Sequence, residues 1–264
     1  MNRLKQLMNL SGRRALITGA NGGLGSVISE TLAEMGCSLL LLDRPNSDFS
    51  CLLSNLDQFT DIKIQTIQCD LEIEEARTSL IRKTIPEGLD ILINNAAFVG
   101  TSELTGWGVP FQEQTIDTWR RAIEVNLTAV FHLCQGFNSV LKESGHGSII
   151  NIASIYGAYG PDWNLYEGTD MSNPAAYAAS KGGLIQLNRW LASTLSPEVR
   201  VNCISPGGIL RNQPPRFITR YSKKTLIGRM ATEDDFRGVI AFLASDMSVY
   251  MTGQNVFVDG GWGF

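Results

Sequence analysis

The sequence predicts an α/β fold: a single domain built on one doubly wound parallel sheet with helices on both faces. Three observations predict it. Short apolar runs suited to buried strands alternate with helix-length segments from Ala15 to Val258. No linker, low-complexity stretch or internal repeat breaks the alternation. The 264 residues, 44% hydrophobic and 18% charged, suffice for one large core.

The elements follow in order. After an N-terminal extension of about residues 1–11, Ala15 to Thr18 is a short buried strand. Gly19-Ala20-Asn21-Gly22-Gly23-Leu24-Gly25 forms a glycine turn. Apolar residues at Leu24, Val27, Ile28, Leu32 and Met35 have helical spacing, and Gly36 stops that helix. Ser38 to Leu42 is nearly all leucine, as in a strand covered on both faces, and it ends at Asp43. Residues 45–60 read as polar and without period. Lys63 to Gln68 is a third strand running into Asp70 and Leu71, and Glu72 to Lys83 a charged helix. Asp90 to Ile93 is a fourth strand ending in Asn94-Asn95-Ala96-Ala97, which suits either close ligand approach or a simple turn.

Thr101 to Gln114, with Trp107 and Pro110, reads as a loop. Asp117 to Leu141 is one long helix carrying Asn126, whose buried amide needs partners. His132 reads as core or interface. Ser148 to Ile152 is a fifth strand, Tyr177 to Leu195 a helix, and Val199 to Ile204 a sixth strand ending at Ser205-Pro206-Gly207-Gly208-Ile209. Glu233 to Ala244 is helical and Asn255 to Val258 a last strand.

Bulk properties narrow the function. A net charge of −4 with no long basic run speaks against nucleic acid as the main partner. The five cysteines (Cys37, Cys51, Cys69, Cys134, Cys203) are scattered, with no Cys-x-x-Cys pair, and there are two histidines. That argues against a disulfide framework or a metal site and fits a reducing cytoplasm. The first residues, MNRLKQLMNLSGRR, lack a signal peptide's apolar core, and no apolar stretch approaches a membrane span. The expected partner is a small-molecule substrate.

The chemistry gathers at strand ends. Glycines let a turn approach a pyrophosphate closely, and the helix N-terminus favours its charge. Gly19, Asn21, Gly22, Gly23, Leu24 and Gly25 are the candidate cradle of a Rossmann-type unit. Asp43 lies 18 residues beyond Gly25, where an acid accepts from ribose hydroxyls. That favours NAD over NADP, although Arg44 beside it could pair with a 2′-phosphate. Tyr177 and Lys181 stand four apart on one helix face. A neighbouring ammonium stabilises a phenolate and brings its proton exchange nearer neutrality. Ser154, just past a strand end, can donate to a substrate oxygen. The glycine turn, Asp43, Asp70, Asn95, Ser154 and Pro206 all follow strands, so they should share one rim.

From about Ser11 to the C-terminus, these residues resemble the short-chain dehydrogenase/reductase family. Thr18 to Gly25 is similar to its Thr-Gly-x-x-x-Gly-x-Gly motif, Asn94 to Ala97 to Asn-Asn-Ala-Gly with alanine last, and Pro206-Gly207 to its late cofactor motif. Asn126, Ser154, Tyr177 and Lys181 match its catalytic tetrad. The resemblance implies hydride transfer with Tyr177 as acid/base and Ser154 on the substrate oxygen. It implies Lys181 on the ribose and the Tyr177 pKa, and Asn126 on a water relay. It places Asp70 and Leu71 at the adenine, and Asn95, Ala96, Pro206, Gly207 and the Ile209 backbone at the cofactor. It further implies a homodimer or homotetramer built on the helices of Asn126 and Tyr177.

Three departures stand out. Ser154 and Tyr177 are 23 residues apart, wider than usual, because of a segment of about residues 160–173 carrying Trp163, Tyr166, Glu167 and Asp170. It reads as a substrate wall. Arg211 replaces a customary threonine. Arg211, Arg216, Arg220, Lys223 and Lys224 make the lid of about residues 208–230 basic, as a solvated face or as a reader of an anionic substrate. The segment 160–173 and SPGGILRNQPPRF also resemble members linked to bacterial surface-sugar and flagellin-glycan biosynthesis. The expected substrate is therefore a sugar, sugar phosphate or nucleotide sugar, with Trp163 and Tyr166 stacking on its ring, Glu167 and Asp170 on its hydroxyls, and Arg211 nearby. The alternatives are an NADPH-dependent 3-oxoacyl thioester reductase, against which Asp43 speaks, and a non-catalytic dinucleotide sensor, against which the intact tetrad speaks.

Overall fold

The computed structural model describes residues 3–99, 102 and 104–264. Met1 and Asn2 of the extension, and Thr101 and Glu103 of the expected loop, lie outside them. Seven strands form one wholly parallel sheet: β1 (Arg14–Thr18), β2 (Ser38–Asp43), β3 (Ile64–Gln68), β4 (Ile91–Asn94), β5 (Gly147–Ile152), β6 (Val199–Pro206) and β7 (Asn255–Val258). Their order is β3-β2-β1-β4-β5-β6-β7, so the winding reverses between β1 and β4.

Side-chain alternation divides the core in two. Leu16, Leu40, Leu42, Leu92 and Ile149 face one layer, against α4 (Glu74–Thr84), α6 (Ala129–Glu143) and α7 (Ala175–Leu195). Ile17, Leu39, Leu41, Ile93 and Ile150 face the other, against α2 (Gly23–Glu34), α3 (Ser50–Leu56) and α9 (Arg237–Ala244). Each leucine of β2 is fully buried, which is worth about 1.5–3 kcal/mol per side chain. α1 (Arg3–Met8) buries no side chain. No helix among the described residues is long and apolar enough to cross a membrane.

Two elements differ from expectation. The stretch read as polar contains α3, a seven-residue helix held by Leu52 and Leu56 on one face. The long helix is not continuous. It runs as α5 (Ile116–Ile123), a π turn over Glu124–Thr128, and α6. The extra residue in that turn carries Asn126 inward, and such turns are frequent at functional sites.

Candidate active site

Because every strand is parallel, all strand carboxyl ends open on one rim. The glycine turn leaves β1 there. Gly19 has φ +66°, and a Cβ on it would stand 2.9 Å from Ala96 Cα. A Cβ on Gly25 would stand 2.0 Å from the Gly19 carbonyl oxygen. Only glycine fits either place, so the turn is a shallow cradle lined by backbone, with the uncapped N-terminus of α2 behind it. That shape and polarity fit a dinucleotide pyrophosphate. Asn95 fixes the cradle, its Nδ2 donating to the carbonyls of Thr18 (2.9 Å) and Gly19 (3.0 Å), while the Asn95 and Ala96 N–H groups donate to Thr18 Oγ1. The amide of Asn95 is thus tied to the turn itself.

Asp43 ends β2. Its carboxylate accepts from the N–H of Asn21 (2.9 Å), the N–H of Arg44 (2.8 Å) and Ser47 Oγ (3.0 Å). Asp70 accepts from the Glu72 N–H at 2.9 Å, and Leu71 is buried beside it. On β6, Gly207 donates its N–H to Val258 and packs on Asp259, leaving no room for a side chain. The Ile209 carbonyl accepts from Gln213 Nε2 at 2.8 Å.

β5 ends at Ile152, with Ser154 two residues on; α7 brings Tyr177 and Lys181 against it. Lys181 is buried, donates to the Ile152 carbonyl at 2.7 Å, and has Nζ 5.9 Å from the Tyr177 ring centroid. Burial lowers its pKa to about 8. The Tyr177 phenol sits above its ordinary value. Burial raises it, the Ser154 side chain works against that, Tyr166 adds to the rise and Arg211 counters it. The expected lowering of Tyr177 is outweighed by the burial of the phenol, while the Lys181 ammonium donates to a backbone carbonyl. Asn126 is fully partnered. Its Oδ1 accepts from the Phe98 N–H (2.7 Å), and its Nδ2 donates to the Phe98 carbonyl and to Ser180 Oγ, both at 3.1 Å.

The segment 160–173 packs against α8 (Pro215–Lys224). Tyr166 and Leu165 pack with Phe217, Tyr221, Met230 and Trp262. The Tyr166 hydroxyl meets the Tyr156 hydroxyl at 2.7 Å. Trp163 leans on Tyr166 with ring centroids 5.7 Å apart, but remains 57% exposed. The lid's basic residues are not a purely solvated face. Lys224 pairs with Asp162 (2.7 Å) and Arg220 with Glu167 (3.5 Å). Arg216 lines an open cleft with Gly168. Glu167 thus pairs with α8 at one end of its carboxylate. Arg211 lies over the glycine turn, paired with Glu233 at 3.0 Å.

Some contributors have no sequence signature. Arg77 is a buried cation whose guanidinium bonds the Leu71 carbonyl, His132 Nδ1 (3.2 Å) and Glu124 (2.6 Å). His132 is thus an acceptor for a structural arginine. Trp107 is buried, donates to the Val99 carbonyl at 2.7 Å and packs near Tyr177.

Comparison with known proteins identifies the family. The family model described as enoyl-(acyl carrier protein) reductase matches residues 19–263. A short chain dehydrogenase from Leptospira borgpetersenii, solved with bound NAD+, has the same fold at TM-score 0.84 and 32% identity, over 100% of this chain and 97% of that one. The chain belongs to the short-chain dehydrogenase/reductase family. As a member, it is an NAD(P)-dependent oxidoreductase, and solved relatives carry NAD+ or NADP. Among family members, post-translational flagellin modification protein A of Campylobacter coli is 28% identical over 96% of this chain and 99% of its own. The probable galactose dehydrogenase GalD of Rhizobium meliloti is 30% identical over 97% of each.

Proposed function

We propose that the protein is an NAD-linked dehydrogenase/reductase acting on a hydroxyl or ketone carbon of a sugar, sugar phosphate or nucleotide sugar. The observation that carries this reading is the convergence of Ser154, Tyr177 and Lys181 at the end of β5, beside the rim that holds the glycine cradle. Bound, the dinucleotide supplies the hydride acceptor or donor. Ser154 donates to the substrate oxygen. Tyr177 takes the hydroxyl proton in oxidation and returns it in reduction. Lys181 holds the ribose hydroxyls, and Asn126 fixes the Phe98 backbone and Ser180 beneath the reacting residues. Asp70, Leu71, Asn95, Ala96, Pro206, Gly207 and Ile209 frame the cofactor. The galactose dehydrogenase and flagellin-modification relatives support the carbohydrate reading, as does the aromatic wall around Tyr166.

We assign the NAD preference to Asp43, whose carboxylate stands at the end of β2 and repels a 2′-phosphate. Asp43→Asn keeps the shape and removes the charge. It is expected to cut the NADPH-to-NADH ratio of dissociation constants by about tenfold, or 1.4 kcal/mol. Calorimetric titration of both nucleotides checks this, and an unchanged ratio would remove the acid from cofactor choice.

The wall is tested separately. Tyr166→Ala should raise the substrate KM by about tenfold and leave NADH affinity unchanged, since a buried aromatic contact is worth one to a few kcal/mol. Unaltered kinetics would make residues 160–173 a passive excursion. Exposed Phe131 on α6 and Trp190 on α7 support a homodimer or homotetramer. The scattered free thiols support a reducing, cytoplasmic setting.

A further inference from the structure

The first turn of α2 has N–H groups that the helix itself cannot use. Gly22 at its N-cap offers no side chain to satisfy them. An anion is favoured at this spot, and a carboxylate stands beside the first residue of the helix. A Cβ on Gly23 would stand 2.7 Å from Glu233 Oε1 and 3.2 Å from Arg211 Nη2. Glu233 and Arg211 pair at 3.0 Å.

Both residues hang from fixed backbone. Glu233 opens a short 3₁₀ turn (Glu233–Phe236) whose start is locked by a reciprocal cap between Thr232 and Asp235. Arg229 clamps Asp235 with two 2.7 Å bonds, and Arg237 ties the far end to Glu30 of α2 at 2.7 Å. Arg211 is held through its N–H to Gln213 Oε1 at 2.7 Å.

We propose that Arg211 is a ligand of the dinucleotide pyrophosphate, and that the Glu233 carboxylate stands in the phosphate position until the cofactor displaces it. A carboxylate and a pyrophosphate repel each other over one helix end. Glu233 therefore leaves, and its departure frees a guanidinium already aimed at the cradle. The planar fork of arginine suits phosphate oxygens as it suits a carboxylate. Glu233 sets affinity by competition, and Arg211 supplies a charge that the backbone cradle lacks.

The test is calorimetric titration of NADH, ADP-ribose and adenosine against wild type, Glu233→Gln and Arg211→Gln. ADP-ribose has the pyrophosphate but neither nicotinamide nor 2′-phosphate, so the result is independent of the NAD preference and of the substrate. Glu233→Gln is expected to tighten NADH and ADP-ribose by about five- to tenfold, and Arg211→Gln to weaken both by about tenfold, the range of a charge-assisted hydrogen bond. Adenosine affinity should move with neither. A Glu233→Gln variant with unchanged or weaker ADP-ribose binding would overturn the proposal. So would an Arg211→Gln variant that binds ADP-ribose normally but has a raised substrate KM, which would return Arg211 to the substrate. Loss of adenosine affinity in step with a lowered melting temperature would make the pair structural and equally overturn it.

Discussion

Tyr177→Phe is expected to lower kcat by about 10³-fold while changing NADH affinity less than about threefold, because positioned proton transfer contributes 10²–10⁴. The substitution removes one hydroxyl from a site otherwise held by packing. The ring remains against Trp107 and Ala176, and Lys181 keeps its bond to the Ile152 carbonyl. The loss should therefore appear in turnover, measured as reduced-nicotinamide absorbance. Nucleotide binding, measured by fluorescence, should survive. Most of the activity persisting in Tyr177→Phe would mean that another group moves the proton. Because burial holds the phenol above its ordinary value, oxidation, which needs the phenolate, should rise with pH toward the alkaline side in wild type. That rise should vanish from whatever activity the variant retains.

Gly25→Ala is the second large effect. One added methyl would lie 2.0 Å from the Gly19 oxygen and 2.9 Å from Ala20 Cα, both backbone atoms that cannot rotate away. Either the turn opens or α2 shifts, and each outcome disturbs the cradle. NADH affinity should fall at least about 100-fold, close to 3 kcal/mol, and overpacking should cost about 1–3 kcal/mol of stability. Nucleotide titration and differential scanning calorimetry measure the two effects. Affinity within twofold of wild type would show that α2 can yield without cost, and that the close approach of turn and helix is unimportant.

Much of this was legible in the residues. β2 is unmistakable because its four leucines between a glycine stop and an acid can only be a strand covered on both faces. The shared rim followed from strands ending at Asp43, Asn94, Ile152 and Pro206, since a parallel sheet leaves no other place for those ends. The fold class and family came through intact for these reasons. α3 escaped because two leucines four apart, among serines and asparagines, give too weak a period. The π turn escaped because one inserted residue barely disturbs the apolar spacing of a long helix. Arg77 with Glu124, and Arg211 with Glu233, are pairings across 47 and 22 residues that leave no local trace. The Tyr177–Lys181 spacing was read correctly as one helix face. The burial that raises the Tyr177 pKa and the Ile152 carbonyl of β5 that takes the Lys181 ammonium are tertiary features with no trace in that spacing.

Arg77 touches no reacting atom, yet its guanidinium joins the Leu71 carbonyl after β3 to Glu124 at the π turn that aims Asn126. The loop after β3 and the π turn are thereby tied through a single planar group. A lysine, with one rotatable ammonium, could not hold three partners in that plane. The position is therefore far less replaceable than its distance from the chemistry suggests, and inactive variants should turn up there that neither substrate contacts nor cofactor contacts would explain.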